Sequence, residues 1–559
     1  MSGADSPPAA LRPDLIWVLA LLAVLSVPFW GKAFHIDDAF FLAVAENVRR
    51  DPLRPFAGAA ALDDIDRRVF GRLGTAPNTF ETLSHPPLVP CVIAAVAAAG
   101  GGAREWPEHA AFFGFALLAA CSQYQLARRF TSRPWVAALC LVSSPIFLVS
   151  SHSLMTDVPA LALSLAALAA FVRGSDAGHT GQLLLAGLLA GLALLTRYVA
   201  FGLLPLGVAY VVLKRRPARK AALALLPMAA VWGAWCVQNW LTQGTLHLAA
   251  SLRHYVEYYG SGAFAGSELA ARAISDLSAL GGAAFAFVPL LLAAGRRSVA
   301  VFAACLAAAA ALCGADVFGL EDLRDYSVNQ RIALSLSFGA GAFLLCEATR
   351  RSWSASRDAA FLWLWLAGGC LASVCLLPFG AARYMLPVLP PLALILSSPQ
   401  PGLPGRRPLW VGLSFAVTMV LGGMLAAADA EFAAVYRRAA RELPAASGGG
   451  RVWFIADWGF RYYMERDGHR YLLSTDQSPT EGDVVIVPRI AGLHAMAPAV
   501  QARARLERAI DVPGTLPLRV LNGEAKAGFY SHGWGLLPFA FSRSPLEHFD
   551  VYRLGPAAD

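Results

Sequence analysis

From Leu15 to Ala427 the chain is a succession of uninterrupted apolar runs, separated by short connections rich in arginine, proline and glycine. No other feature narrows the choice of fold so far. Most of the runs approach the length that carries a helix across a bilayer, about 20 residues. At membrane depth there is no water to pair with backbone N–H and C=O groups, so only helices and closed barrels can span. Runs that are apolar throughout, without strand-like alternation, choose helices. Charged residues make up only 15% of the 559, against about 25% in ordinary soluble domains. The chain therefore reads as an α-helical polytopic membrane protein with soluble parts.

The first run, Leu15–Trp30, is longer than a signal-peptide core, and Gly31-Lys32-Ala33 is a poor cleavage site. It reads as an uncleaved anchor behind a polar, disordered, cytoplasmic stretch at 1–14. Further spans are predicted over 108–127, 134–150, 158–173, 181–196, 199–213, 221–239, 279–294, 298–315, 332–347, 359–377, 384–398 and 409–427. With the first, this makes 13. The run at 88–99 is too short to cross and reads as a surface or re-entrant helix within a first outer loop, 31–107.

The transmembrane domain is thus 15–427. Residues 428–559 read as a small α/β domain. It opens on a charged helix, EFAAVYRRAARELP, and a glycine linker, Ser447–Gly450. Strands follow at Val452–Ile455, Val484–Val487 and Val551–Leu554, with a helix at Phe460–Arg466.

The net charge of +8 does not mark a nucleic-acid binder. Residues 428–559 hold 15 basic and 15 acidic residues, so the excess lies in short membrane loops. With the N-terminus inside, the inner short connections carry 16 Lys/Arg and the outer ones 4. The positive-inside rule then puts the N-terminus in the cytoplasm and the C-terminal domain outside. Counting 88–99 as a span would invert every later loop. The nine cysteines all lie in apolar runs, with no CxxC pair, and read as packing residues.

The polar residues that this topology gathers on the outer face are few. Phe34–Arg50, FHIDDAFFLAVAENVRR, is an amphipathic surface helix with Asp37 and Asp38 at its start. Acids at the lipid boundary are costly and usually functional; the plain alternative is that Asp37 is an N-cap. Asp157, in Thr156-Asp157-Val158-Pro159, has the same alternative. His85 and His152 lie in outer turns without metal-binding spacing, and isolated histidines are more often structural. Arg197 and Arg383 violate the positive-inside pattern, so each needs a phosphate partner or is snorkelling to headgroups. A lipid transporter or flippase is the competing class. It would carry acids in mid-span and repeated broken helices; the predicted spans are nearly free of acids and show no repeat.

Several local patterns carry a resemblance: the acidic pair after the first span, His85-Pro86-Pro87-Leu88, Leu154-Met155-Thr156-Asp157-Val158-Pro159, Thr196-Arg197-Tyr198 and Arg383-Tyr384-Met385-Leu386-Pro387. Their order and sidedness resemble the C-type, polyprenyl-phosphate-sugar-dependent glycosyltransferases, in particular bacterial relatives of protein O-mannosyltransferases and of the lipid A aminoarabinose transferase. Two departures are visible: Asp37-Asp38 stands where the family usually has Asp-Glu, and His85 where the aminoarabinose branch has Lys.

The resemblance implies an enzyme of the bacterial cytoplasmic membrane working on its outer face. Its partners would be the bilayer, a polyprenyl-phosphate-linked sugar donor and a glycan, lipid or protein acceptor. Asp37 would be the general base. Asp38 would hold the acceptor or a metal. Arg383 and Arg197, with His85, would bind the donor phosphate. His152, Asp157 and Tyr384 would touch substrate. Two acids and a histidine, Asp38 and His85 among them, could hold a divalent Mg or Mn ion; a charged arginine can do the same work without one.

Overall fold

The computed structural model describes residues 12–56, 85–259, 265–284, 296–314, 321–353, 356–398, 408–472, 479–492 and 495–556. Part of the expected first outer loop, 57–84, lies outside them, as do 1–11, 285–295 and the inner-loop pair Arg406 and Arg407.

Among the described residues, seven helices are long and apolar enough to cross a membrane: Glu105–Phe130, Asp157–Ala177, Ala218–Gln243, Arg296–Gly314, Val328–Ser352, Arg357–Leu376 and Gly412–Ala445. An eighth candidate is a broken pair, Pro134–Ser143 and Pro145–Ser151, bent by 61°. One straight span was expected here. Ser144 precedes a proline, which disfavours helical backbone at the residue before it, and its ψ is 126°.

Shorter apolar helices cover Pro13–Phe29, Thr180–Leu194 and Tyr198–Lys214. Leu88–Gly100 is about 20 Å long at 1.5 Å per residue, short of the ~30 Å hydrocarbon core. It packs on the surface helix Asp38–Arg50. The expected span 384–398 is instead a 3-10 turn, Ala382–Met385, followed by a short helix, Leu389–Ser397. Pro387, Pro390 and Pro391 keep the two apart. Helix Gly266–Ala283 ends where the run 279–294 was expected to begin spanning; the rest of that run is undescribed.

Helices Gly266–Ala283 and Val328–Ser352 approach so closely that side chains are excluded at the crossing. A Cβ on Gly281 would lie 1.9 Å from the Ser337 carbonyl, and one on Gly341 1.9 Å from that of Leu277. Small residues permit this backbone approach between helices in lipid.

The last long helix runs unbroken from Pro408 to Ala445. The expected domain boundary at 428 therefore falls inside this helix, which leads through the glycine linker Ser447–Gly450 to the C-terminal sheet. That sheet has five strands: β1 (Val452–Phe454), β2 (Arg470–Tyr471), β3 (Val484–Pro488), β4 (Ala504–Val512) and, after a two-stranded ribbon of β5 (Leu521–Asn522) and β6 (Ala527–Gly528), β7 (Glu547–Leu554). Their order is β2-β1-β3-β7-β4. β1 is parallel to β2 and β3, whereas β7 is antiparallel to β3 and β4. The edge strand β4 is not visible in the sequence, because four of the nine residues of ARLERAIDV are charged and none of the nine is buried. Helix Trp458–Arg466 crosses from the sheet to the surface helix.

Candidate active site

The first helix ends at Ser26 and a 3-10 turn carries the chain to Phe29. Lys32, Phe34 and His35 are then buried one after another. Ile36 adopts φ 46°. A β-branched residue in the left-handed region is a true outlier, and such strain gathers at functional sites. This turn sets the two aspartates in different surroundings.

Asp38 is fully buried. Its Oδ2 accepts from the His35 backbone N–H at 2.9 Å, and its Oδ1 from the Leu154 N–H at 2.8 Å. It therefore ties the loop to the turn that contains His152 and Met155. Burial pushes its carboxyl up to about 7, against the pull of Lys32. Asp37 stands at the N-cap position of Asp38–Arg50, yet its side chain makes no capping bond. Its carboxylate, 33% exposed, faces Arg383, with Nη1 to Oδ2 at 3.4 Å. Burial raises its pKa, and the Arg383 charge works in the opposite direction.

Arg383 comes from the 3-10 turn Ala382–Met385 and is buried. Its Nη1 lies 3.1 Å from the Met155 Sδ and 3.8 Å from the Asp157 carboxylate. Its Nε is buried and has no hydrogen-bond partner among the described residues. Asp157 is the first residue of helix Asp157–Ala177; the N-cap position is held by Thr156. Instead of capping, Asp157 ion-pairs with Arg197. Tyr384 lies against both guanidinium groups, 5.2 Å from Arg197 and 5.3 Å from Arg383. Five of the eight residues singled out in the sequence thus meet in one cluster: Asp37, Asp157, Arg197, Arg383 and Tyr384. Its two acids and two arginines balance in formal charge, and Asp37 is its accessible acid.

His85 and His152 each stack on a phenylalanine. The His85 ring stacks on Phe41 of the surface helix, with centroids 6.2 Å apart. The His152 ring stacks on Phe29 at 4.6 Å, and its carbonyl accepts from Lys32 Nζ at 3.0 Å. Among the described residues no three His, Cys, Asp or Glu side chains are grouped to hold a metal ion. Asp38, offered with His85 as a metal pair, has each oxygen on a backbone amide instead. These residues do not fit a divalent-ion site.

A second network lies behind the first, and it was missed in the sequence. Lys32 ion-pairs with Asp429 of the last long helix. Asp429 also accepts from the Tyr530 hydroxyl at 2.8 Å, and the Tyr530 ring lies 6.0 Å from the Arg383 guanidinium. His35 Nε2 is 3.6 Å from Asp429. Burial pushes His35 down to about 3, so it stays neutral. The available signal was Lys32 itself, a single charge between Trp30 and Phe34 in an otherwise apolar stretch.

The C-terminal region grips both loops of the cluster. The Tyr463 hydroxyl accepts from the Phe34 N–H at 2.9 Å and donates to Glu105 at 3.0 Å. On the other side, Ala382 N–H donates to the Phe529 carbonyl at 2.9 Å. Gly380 N–H donates to His532 Nδ1 at 2.9 Å, and His532 N–H returns a bond to the Gly380 carbonyl at 2.8 Å. The site is thus assembled from the first loop, the turn before helix Asp157–Ala177, the Arg383 turn and the C-terminal region.

With this arrangement in view, the chain resembles the C-type, polyprenyl-phosphate-sugar-dependent membrane glycosyltransferases. Residues 84–242 match the family described as dolichyl-phosphate-mannose-protein mannosyltransferase. That stretch includes His85, His152, Asp157 and Arg197, while Asp37 and Arg383 lie outside it. Two solved structures are similar in fold. One is the archaeal oligosaccharyltransferase AglB from Archaeoglobus fulgidus, in complex with an inhibitory peptide and a dolichol-phosphate. It is 14% identical, with a TM-score of 0.46, over 82% of this chain and 64% of that one. The other is ArnT from Cupriavidus metallidurans bound to undecaprenyl phosphate, 14% identical, with a TM-score of 0.41, over 85% of this chain and 93% of that one. The chain spans about 64% of the length of the oligosaccharyltransferase it matches. No curated protein matches it in sequence.

Proposed function

We propose that this protein is an integral membrane glycosyltransferase that moves a sugar from a polyprenyl-phosphate donor to an acceptor on the outer face of a bacterial cytoplasmic membrane. The observation that carries the reading is the pairing of Asp37 with Arg383. One is the accessible carboxylate of the cluster; the other is a buried guanidinium whose Nε has no partner among the described residues. A buried, unpaired donor calls for an acceptor that completes it, and a phosphate oxygen is suited to a guanidinium. The family matched over residues 84–242 is named for a lipid-phosphate sugar donor, which supports the same reading.

The donor brings its own leaving group. Asp37 takes the proton from the attacking acceptor group as the bond to the sugar's anomeric carbon forms. The bond from that carbon to the phosphate oxygen breaks, and the electron pair leaves with the lipid phosphate. Arg383 and Arg197 stabilise the charge that develops there. Asp157 holds the two arginines in place, Tyr384 packs between them, and Asp38 fixes the loop that carries the base.

Asp37→Asn tests this reading. Asn keeps the shape and cannot accept the proton. Turnover should fall by about 10²–10⁴-fold, the usual worth of a positioned base, while binding of a polyprenyl phosphate is retained. An Asn variant with wild-type turnover would remove Asp37 from the mechanism.

A further inference from the structure

A cavity of about 620 Å³ lies between the surface helix Asp38–Arg50 and helix Trp458–Arg466. It is within the usual size of a small-molecule site. Ala39, two residues beyond Asp37, is part of its wall. We infer that this cavity is the acceptor site and that it takes a saccharide. The inference rests on the reading of Asp37 as the transferase base and adds the chemical class of the acceptor.

Its walls carry the argument. Trp458 and Tyr462 line one side. Such rings offer an apolar face together with a polar tip, and a sugar presents C–H faces edged with hydroxyls. Four arginines and two glutamates stand in the wall: Arg49 and Arg50 share Glu46, at 2.8 and 3.3 Å, Arg461 donates to Glu465 at 2.8 Å, and Arg466 pairs with Asp467 at 2.9 Å. Each pair sets donors beside acceptors, which suits hydroxyl groups.

Two further features point to a built site. Trp458 has φ 58°, a strained conformation for a bulky residue of the kind that gathers at ligand clamps. The next residue, Gly459, presses on the loop that carries the base: a Cβ there would lie 2.1 Å from the Phe34 carbonyl. The wall of the cavity and the catalytic loop are therefore in direct backbone contact, so that an acceptor held by Trp458 is held relative to Asp37.

Binding can be read without turnover, using the full chain in detergent or nanodiscs and tryptophan fluorescence with calorimetry. The ligands are three neutral hexasaccharides (of glucose, mannose and N-acetylglucosamine), a serine- and threonine-rich peptide and a lipid A preparation. At least one hexasaccharide should bind. Its affinity should fall by about tenfold or more in Trp458→Ala and by a smaller factor in Glu46→Gln, a shape-preserving change on the more exposed wall. Binding of undecaprenyl phosphate reports whether each variant is folded. Saccharide binding that survives both substitutions overturns the inference. So does binding of the peptide or of lipid A in place of every saccharide. The Asp37→Asn protein should bind the saccharide like wild type. An Asn variant that keeps turnover would remove Asp37 as the base and leave this binding result standing, so the two failures are distinguishable.

Discussion

At the scale of single residues, two adjacent aspartates divide their labour. Asp38 is a brace: it is fully buried, with each oxygen on a backbone amide. Asp37 is left facing Arg383 and the open side of the cluster. The raised pKa of Asp37 has a direct consequence for pH dependence. A base works in its deprotonated form, so activity is lost as pH falls through its pKa. Burial places that pKa above the ordinary carboxylate value of about 3.9. The acid limb of kcat/KM should therefore lie above that value, and it should be absent from the residual activity of Asp37→Asn. Arg383 makes the second prediction. Arg383→Ala removes a buried charge that faces Asp37 and Asp157. Truncating one partner of such a pair costs about 2–5 kcal/mol in binding, which is at least a tenfold loss of polyprenyl-phosphate affinity in a direct binding assay. Arg383→Lys should restore only part, since an ammonium cannot present the planar fork. An Ala variant that binds as tightly as wild type would reduce Arg383 to a structural charge.

At the scale of elements, the C-terminal region acts as a clamp on the site. Tyr463 holds the loop that carries Asp37 through the Phe34 amide, and the Phe529–His532 segment holds the Arg383 turn through Gly380 and Ala382. Tyr463→Phe keeps the ring and deletes both hydroxyl contacts. It leaves the Phe34 N–H without its partner, at a cost of about 1–3 kcal/mol. Thermal unfolding should shift down, and kcat should fall while polyprenyl-phosphate affinity holds, because Arg383 is gripped from the other side. Equal losses in kcat and in phosphate affinity would mean that the clamp acts on the fold as a whole. The element-level surprises share a cause. The kink at Ser144-Pro145 and the short Leu389–Ser397 helix both follow from prolines inside apolar runs. Hydropathy counts such runs as continuous, whereas the backbone breaks at them.

For the whole molecule, orientation is the open quantity with a clear physical basis. The bias of 16 basic residues against 4 in the short connections predicts a cytoplasmic N-terminus and an outer C-terminal region. A periplasm-active reporter fused after Asp559 should be active. A reporter active only in the cytoplasm would mean that the membrane crossings are one off in parity. The helix from Pro408 to Ala445 matters here, since it reaches from the membrane helices to the sheet, where its Tyr436 hydroxyl donates to Glu547 of β7 at 2.9 Å.

By itself the sequence determined the class of fold, because a polypeptide in lipid has no outlet for its backbone polar groups except helices, and the apolar runs are written out residue by residue. It also picked out Asp37, Asp157, Arg197 and Arg383, because charge beside an apolar run is costly enough to stand out, and Tyr384 through the family resemblance. Only the tertiary structure decided what each of these touches. Asp37 and Arg383 are 346 positions apart, and nothing local to either says that they meet. Asp38 looks like Asp37 in sequence and differs from it only through the Leu154 and His35 amides. The Lys32–Asp429–Tyr530 network was missed for the same reason: Lys32 stands out as a lone charge in an apolar stretch, but nothing local to it points to Asp429 or Tyr530. Such groups acquire a role when folding removes water from around them and leaves them one another as partners.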